Sequence, residues 1–520
     1  MSQLKTIYDK VTSRMEPAVF GGAAGLVLAF LFFGSSYPKS TSEVFSSLQN
    51  FIITYFGWFY ILSATLILIF ILYILLSPFG KIRLGGKDAR PDFSYFAWFT
   101  MLFSAGMGTG LVFWSVAEPV MHYDSPPLAE SSSTSAMRES LQYTFFHWGL
   151  HPWAIYTLFG LALAYYHFRF KLPLAPRSML YPLIGNRIYG WLGHLVDILA
   201  TVGTLLGVAT SLGLGAMQIN AGISFMSDLG QSTNIQVMLI AGITLVATAS
   251  VVLGLDKGIS RLSRFNILLA IIFMLFLFLA GPTVYLLNTF VTGVGSYLQN
   301  LPFMSLWISS GEGAEWQSDW TLFYWAWWIS WSPFVGVFVA RISRGRTVKE
   351  FILGVLFAPT LATFFWLAIF GGNGLYLQIQ EGTSLLDQFA GEPAIALHTL
   401  LEYLPYTKIS TVVATLLITI FFITSSDSGS FVDDMVTSGG DPNPPVAQKV
   451  FWAFSEGAVA CTLLLTGGLE GLRTASLTSG LPMSIILLVS GVGLYKALSN
   501  DHERKGVPKK KELTKGSITE

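Results

Sequence analysis

Large aromatic side chains crowd one short apolar stretch. Five tryptophans occur between positions 320 and 331. In a helix that turns about 100° per residue, one face about 140° wide carries Phe323, Trp327, Trp328 and Trp331. Such rings attract a cation that offers no N–H group, such as a quaternary ammonium, by roughly 0.5–2 kcal/mol per contact. An interfacial aromatic belt or plain helix packing is the alternative. Belts occupy helix ends, whereas this cluster continues inward, so the pattern favours a binding face.

A second aromatic group accompanies two histidines. His147 and His151 have the i, i+4 spacing of metal or haem ligands, but no acidic third ligand is evident nearby. Structural histidines are therefore the favoured interpretation. The same stretch presents one broad face that could complete a ring cage, with the side chains of Trp148, Trp153 and Tyr156.

A glycine-rich stretch, Gly106-Met107-Gly108-Thr109-Gly110, lies inside another apolar segment. No strand precedes it, which excludes a nucleotide-binding loop. Small residues at a close-packed helix interface are one interpretation. The other is an unwound stretch whose free carbonyls face a cavity and bind a cation or a substrate head group.

Hydroxyl groups cluster around one acid in the segment from Phe421 to Ser430. Serine and threonine can bond back to their own helix. They are also the hard oxygen ligands that suit sodium. Asp427 either meets the ion or closes a bond between helices.

The composition indicates an integral membrane protein. Hydrophobic residues make up 52% of the chain and charged residues only 12%, as expected for repeated membrane spans. We predict twelve helices, near 17–34, 51–77, 93–118, 141–167, 193–225, 235–255, 266–294, 320–341, 350–371, 407–436, 447–467 and 474–498.

Lysine and arginine concentrate in alternate connections, which predicts that both termini are cytoplasmic. The N-terminal segment 1–16 and the basic tail 499–520 then lie on that side. The tail is either a solvated end or a contact for anionic lipid, worth roughly 1 kcal/mol per basic residue near the surface.

Predicted helices 3 and 8 carry comparable interruptions, at Ser104–Gly110 and Ser330–Gly336. Because they are five helices apart, the second unit must return upside down. We predict an inverted pair, 93–294 and 320–498, joined by an external amphipathic connection at 295–319 and preceded by a hairpin at 17–92. Such repeats with broken helices indicate a midplane site in a secondary transporter.

The string Ala340-Arg341-Ile342-Ser343-Arg344-Gly345-Arg346, the glycine stretch and the pattern around His147 together resemble the betaine/choline/carnitine transporter family. The resemblance covers nearly the whole chain. It implies a five-plus-five inverted-repeat core and a homotrimer. It also implies an aromatic box of Trp148, Trp153, Tyr156 and Trp328, with Trp327, Trp331 and Phe323 along the path and the glycine stretch beside the substrate.

The resemblance also implies sodium sites. The first would use Ser104, Met107, Phe421, Thr424 and Ser425. The second would use Thr204 and Phe334, but the position one turn after Thr204 is Val208, where the sodium-coupled members place a threonine; Thr201 or Thr210 could substitute. Gly110 is an aspartate in proton-coupled choline members, so glycine there resembles the sodium-coupled betaine carriers.

We therefore expect a sodium-coupled symporter for an onium compound, glycine betaine first. The alternative is a proton-coupled or exchange-type carrier for choline, carnitine or dimethylsulfoniopropionate, and a channel is a weaker reading. We expect no enzyme activity, no cofactor besides the coupling sodium ion, and no nucleic-acid partner.

Overall fold

Helices build the described part of the chain. The structure is a computed structural model that describes residues 15–86, 88–106, 108–253, 256–309, 311, 313–389 and 392–506. The helices are α1 Pro17–Ser36, α2 Pro38–Leu76, α3 Tyr95–Gly106, α4 Thr109–Asp124, α5 Thr134–Trp148, α6 Leu150–Phe170, α7 Trp191–Met226, α8 Thr233–Leu253, α9 Asp256–Ala280, α10 Thr283–Leu306, α11 Phe323–Arg341, α12 Ala358–Tyr376, α13 Ala396–Glu402, α14 Thr407–Thr437 and α15 Val446–Gly506.

Shorter turns join these helices. Short α-helical pieces cover Tyr181–Ile184, Gly313–Gln317, Val348–Ile352 and Leu385–Phe389. Wide π-helical turns cover Ser318–Leu322, Leu353–Phe357 and Leu377–Glu381. Tight 3-10 turns cover Pro78–Lys81, Pro176–Leu180, Gly185–Tyr189 and Pro393–Ile395.

Eight helical stretches of the described residues are long and apolar enough to cross a membrane. These eight stretches coincide with nine of the twelve predicted helices. The numbers differ by one because α15 contains both of the last two predicted helices, on either side of Gly468, whose φ is +55°. Predicted helices 3 and 4 are each broken into two shorter helices, and the apolar part of predicted helix 6 is the shorter stretch Thr233–Ala249. The full count of twelve spans, the inverted repeat and the domain boundaries stay predictions.

The predicted bounds of one helix are wrong. Predicted helix 7, at 266–294, is two helices, since α9 ends at Ala280 and α10 begins at Thr283. The Gly281-Pro282 pair between them is a strong helix-breaking signal. As a result, half of the predicted external connection 295–319 belongs to α10.

Predicted helix 8 is not interrupted at Ser330–Gly336. Instead, α11 runs without a break from Phe323 to Arg341. Pro333 has no N–H to donate to the Ile329 carbonyl. The Ser332 hydroxyl donates to that oxygen at 2.7 Å instead, which keeps the carbonyl satisfied and the helix intact.

The centre of the molecule is α11. It packs against α6, α7 and α15, and its residues from Phe323 to Val337 are all buried. Trp325, Trp327 and Trp328 are each at most 2% exposed. The aromatic stretch is therefore interior, which excludes the interfacial belt.

Candidate functional site

An aromatic cavity of about 420 Å³ lies between α4, α6 and α11. Its lining contains eight of the predicted substrate residues and three others: Gly108, Gly110, Leu111, Trp148, Pro152, Trp153, Tyr156, Trp327, Trp328, Trp331 and Thr363. The sequence-predicted cage is thus brought together around one space, which we call the cage cavity.

Three of the cage indoles have their N–H groups hydrogen-bonded. Trp148 Nε1 donates to Glu118 Oε2 at 2.8 Å, Trp328 Nε1 to the His147 carbonyl at 2.9 Å, and Trp327 Nε1 to the Gly207 carbonyl at 3.3 Å. Because these N–H groups are already hydrogen-bonded, the rings would contact a cation through their faces. Ring faces carry the negative side of the quadrupole, which is the side that attracts a cation.

The rings are also fixed against one another. Trp327 and Trp328 stack with centroids 4.6 Å apart and planes 15° from parallel. Trp148 meets Trp328 edge-on at 4.8 Å, and Trp153 meets Tyr156 edge-on at 5.5 Å. A cage of mutually packed rings is preorganised, which lowers the ordering cost of binding.

Two breaks in the helices position this cage. Predicted helix 4 separates at Gly149, so Trp148 ends α5 whereas Trp153 and Tyr156 lie on α6. Predicted helix 3 separates between Gly106 and Thr109, and Gly108 is extended with φ −148°. The interruption predicted at the glycine stretch is therefore confirmed, whereas the break at Gly149 was not foreseen.

Gly110 leaves the room that Trp327 occupies. A Cβ at Gly110 would collide with the outer atoms of the Trp327 indole. At Gly108 a Cβ would meet Trp331 at 3.6 Å, an ordinary contact. Of these two glycines, only Gly110 is therefore required sterically by the cage.

Two predicted substrate residues lie outside this lining, and the position of a third is not described. The Phe323 ring stacks on Trp327 at 5.4 Å, one turn away from the cavity lining, and the Arg473 guanidinium lies 5.4 Å from its centroid. Gly106 is the last residue of α3. Met107 lies outside the described residues.

A second cavity of about 600 Å³ adjoins the cage through Trp331. It is lined by predicted sodium ligands from both pockets and by further polar residues: Ser263, Asn266, Ile267, Trp331, Phe334, Val335, Phe338, Phe421, Thr424, Ser425 and Ser428. The Thr424 hydroxyl donates to the Ile420 carbonyl at 2.9 Å, which still leaves its oxygen able to accept or to coordinate. Ser104 lies within α3, and its side chain is outside the described residues.

The helix predicted to supply the second sodium pocket is α7. The Thr204 hydroxyl is buried and has no hydrogen-bond partner among the described residues, and Thr204 lies outside the lining of the cavity that contains Phe334. The two suggested substitutes are already bonded: Thr201 Oγ1 donates to the Asp197 carbonyl at 2.9 Å, and Thr210 Oγ1 to the Leu206 carbonyl at 2.9 Å.

A third cavity continues from the second towards the Arg341 end of α11. It has a volume of about 1550 Å³ and shares Phe334, Phe338 and Ser428 with the second cavity. Its lining adds the charged side chains of Arg341, Asp427, Asp434 and Lys449. The three cavities lie in series along α11, each sharing lining residues with the next, from the cage to the Arg341 side.

The sequence analysis missed an acid at the opposite end of the cage. Glu118 on α4 is fully buried, and its Oε1 lies 2.7 Å from His147 Nδ1 and 3.3 Å from His122 Nε2. An acidic neighbour of His147 that was not evident in the sequence is therefore present in the fold. Folding brings Glu118 and His147 together, since 29 residues separate them in sequence. His151 instead stacks on Trp325 at 5.1 Å.

The ligand atoms of Glu118, His122 and His147 lie within 4.8 Å of one another, a spacing that also fits a metal centre. Both carboxylate oxygens of Glu118 already contact N–H or O–H groups, including the Tyr324 hydroxyl at 2.6 Å. Hydrogen bonding accounts for this group without a metal.

Comparison with known proteins identifies the family of the chain. A family model described as betaine/carnitine/choline family transporter matches residues 18–503. A glycine betaine transporter of Bacillus subtilis is 43% identical over 501 residues, which is 96% of this chain and 97% of the relative. A glycine betaine transporter of Acinetobacter baylyi is 43% identical over 497 residues, 95% of this chain and 75% of the relative. A glycine betaine/proline/choline transporter of Vibrio parahaemolyticus is 40% identical over 500 residues, 93% of this chain and 90% of the relative.

Fold, site and similarity define a multi-pass membrane transporter and not an enzyme. The chain belongs to the betaine/carnitine/choline transporter family, whose model covers nearly all of it. The resemblance drawn from the sequence motifs is thereby confirmed.

Proposed function

We propose that the chain is a sodium-coupled symporter that imports an onium compound by alternating access, with glycine betaine as the first substrate to test. The cage cavity carries this proposal. Its lining contains the aromatic side chains of Trp148, Trp153, Tyr156, Trp327, Trp328 and Trp331. A trimethylammonium head cannot donate a hydrogen bond, so ring faces recognise it better than polar groups do. The Bacillus and Acinetobacter relatives are described as glycine betaine transporters, which supports this substrate.

Sodium coupling is supported by the second cavity. Hydroxyl groups of Thr424, Ser425 and Ser428 line it, and Trp331 is common to this cavity and the cage. Oxygen ligands suit a hard cation. An ion held there would stabilise the ring that also borders the substrate, which couples the two binding events.

A carrier for choline, carnitine or dimethylsulfoniopropionate, driven by protons or by exchange, is the second candidate. Val208 favours it, because this side chain brings no oxygen to α7 where a second sodium pocket would need one. The name of the Vibrio relative, which includes choline, supports the wider substrate range. A channel remains a third and weaker alternative.

The proposed setting is the inner (plasma) membrane, with both termini cytoplasmic and three copies forming a homotrimer. Exposed leucine, phenylalanine and valine side chains along α2, α9 and α10 support contact with lipid. With this orientation, the third cavity lies on the cytoplasmic side of the cage.

Counterflow in proteoliposomes tests the proposal. Vesicles loaded with unlabelled glycine betaine should accumulate labelled glycine betaine transiently, because a carrier exchanges solute whereas a channel lets it equilibrate. The same assay with choline, carnitine and dimethylsulfoniopropionate, with and without sodium, identifies substrate and ion. Equilibration without transient accumulation for all four solutes would reject a carrier of onium compounds.

A further inference from the structure

Glu118 joins three helices at the end of the cage furthest from Arg341. Its Oε2 accepts hydrogen bonds from Trp148 Nε1 at 2.8 Å and from the Tyr324 hydroxyl at 2.6 Å. Its Oε1 lies 2.7 Å from His147 Nδ1. Thus one side chain of α4 binds the end of α5 and the start of α11 together.

The carboxylate is fully buried. A buried carboxylate is costly unless its oxygens are hydrogen-bonded, so removing any donor is penalised and the donors are held in place. The group also faces titratable and charged neighbours. His122 lies on its own helix, His147 on α5 and Tyr324 on α11.

The bonds of Glu118 extend to both sides of the cage. Trp148 is bonded directly. Trp328 is reached through its neighbours, because its Nε1 donates to the His147 carbonyl at 2.9 Å and its ring stacks on Tyr324 at 5.6 Å. The His147 ring is held in turn by Thr321 Oγ1, 3.0 Å from Nε2. Displacing the carboxylate would therefore release two of the cage rings at once.

We propose that Glu118 is a positioning residue for substrate binding: it does not line the cavity, and it sets the orientation of Trp148 and Trp328 that an onium head group requires. The proposal rests on the onium site of the proposed function. It requires the reach of the side chain and its acceptor oxygen rather than its charge alone.

Two substitutions separate reach from charge. In Glu118→Gln the amide oxygen still accepts hydrogen bonds from Trp148 and Tyr324. The amide N–H₂ can donate to His147 Nδ1 if the histidine takes the tautomer with its proton on Nε2, which then donates to Thr321 Oγ1. In Glu118→Asp the charge stays, but the oxygens are withdrawn by one methylene. Positioning therefore predicts that glutamine is better tolerated than aspartate.

The test measures the Kd of purified full-length variants for glycine betaine and for choline by calorimetry. We expect Glu118→Ala and Glu118→Asp to raise Kd at least about tenfold and Glu118→Gln about threefold or less, on the scale of one lost buried polar contact. Tyr324→Phe, which keeps the stacked ring and removes one donor, should raise Kd about threefold. The exposed Glu402→Ala serves as the control and should bind as the wild type does.

A second readout needs no ligand. With 5-fluorotryptophan incorporated, the Trp148 resonance, assigned by its loss in Trp148→Phe, should shift or broaden in Glu118→Ala and stay near its original position in Glu118→Gln. Wild-type affinity and an unmoved Trp148 resonance in Glu118→Ala would overturn the proposal. Equal loss in the glutamine and alanine variants would overturn it too, by showing that charge is what matters. If the wild type binds neither solute, the proposed function fails, and the fluorine spectra still decide the positioning role.

Discussion

The Trp328 ring borders the cage cavity and stacks on Trp327. Trp328→Leu keeps an apolar side chain but removes the ring face, so we expect substrate binding to weaken by about 1–2 kcal/mol, about tenfold or more in Kd. Trp328→Phe keeps a smaller ring and should be milder. Equal Kd values for the wild type and folded Trp328→Leu would remove the cage from the account.

Gly110 allows a second prediction at the residue scale. Because a Cβ there would collide with the Trp327 indole, Gly110→Ala should displace that ring and raise Kd by about fivefold or more. Gly108→Ala is the matched control, since its Cβ would make only a 3.6 Å contact with Trp331, and it should cost less. The comparison is a pair of binding isotherms at equal sodium concentration. A larger loss at Gly108 would contradict the steric argument.

The sequence predicted the cage rings well and their supports poorly. Trp148, Trp153, Trp327 and Trp328 could be predicted because large rings at helical spacing leave a periodic signal. Glu118 leaves none: it is a single acid in an apolar segment, and the Tyr324 hydroxyl that it accepts from is 206 residues away. The partners of such a group can be identified only from the distances that folding creates. A buried acid at membrane depth is nevertheless a functional signal in itself.

At the scale of elements, helix content followed from composition and hydropathy, whereas the breaks did not. Glycine at 149 and the Gly281-Pro282 pair end helices, yet Pro333 leaves α11 continuous because Ser332 satisfies the Ile329 carbonyl. Whether a proline breaks a helix thus depends on a neighbouring hydroxyl, which periodicity does not report. This explains why one predicted interruption was confirmed and the other was wrong.

The orientation of the helices is tested with single cysteines in a Cys461→Ala background, since Cys461 is the only cysteine of the chain. Positions 39 and 408 lie in connections predicted to be external, and Lys87, outside the described residues, lies in one predicted to be cytoplasmic. Lys39→Cys and Lys408→Cys should react with an impermeant thiol reagent in intact cells, because both positions lie in the first turn of a helix whose start would face the medium. Lys87→Cys should react only after permeabilisation. Labelling of Lys87→Cys in intact cells would overturn the topology and the inverted repeat that depends on it.

For the whole molecule, the driving force sets how many ions are needed. A thousandfold accumulation of a neutral zwitterion requires about 4.1 kcal/mol. One sodium ion moving inward supplies about 2.3 kcal/mol per 100 mV, in addition to its concentration gradient. At about 100 mV, two sodium ions per solute molecule therefore supply enough free energy from the voltage alone. One sodium ion per solute molecule would need a substantial sodium gradient as well.

We expect sodium dependence to be carried chiefly by Met107, Thr424 and Ser425, with a Hill coefficient nearer one than two because Val208 brings no oxygen to α7. Thr424→Ala combined with Ser425→Ala should raise the sodium concentration for half-maximal uptake by about tenfold or more, while leaving the cage in place. The matched control is Thr419→Ala on the same helix, whose hydroxyl donates to the Thr415 carbonyl at 2.7 Å and which lies outside the lining of the second cavity.

Uptake by proteoliposomes at varied sodium concentration measures the effect. Transport that persists in sodium-free buffer and collapses on addition of a protonophore would reject sodium coupling and make this a proton-driven carrier.

The series of three cavities along α11 has a consequence for how a solute leaves. The first is walled by rings, the second adds the hydroxyls of Thr424 and Ser425, and the third adds the charges of Arg341 and Asp427. In the proposed transporter, a zwitterion moving down this series would regain its hydration shell in steps, because the methylated end needs little water and the carboxylate would meet polar atoms early. Release would thereby be divided into several small steps in free energy instead of one steep barrier.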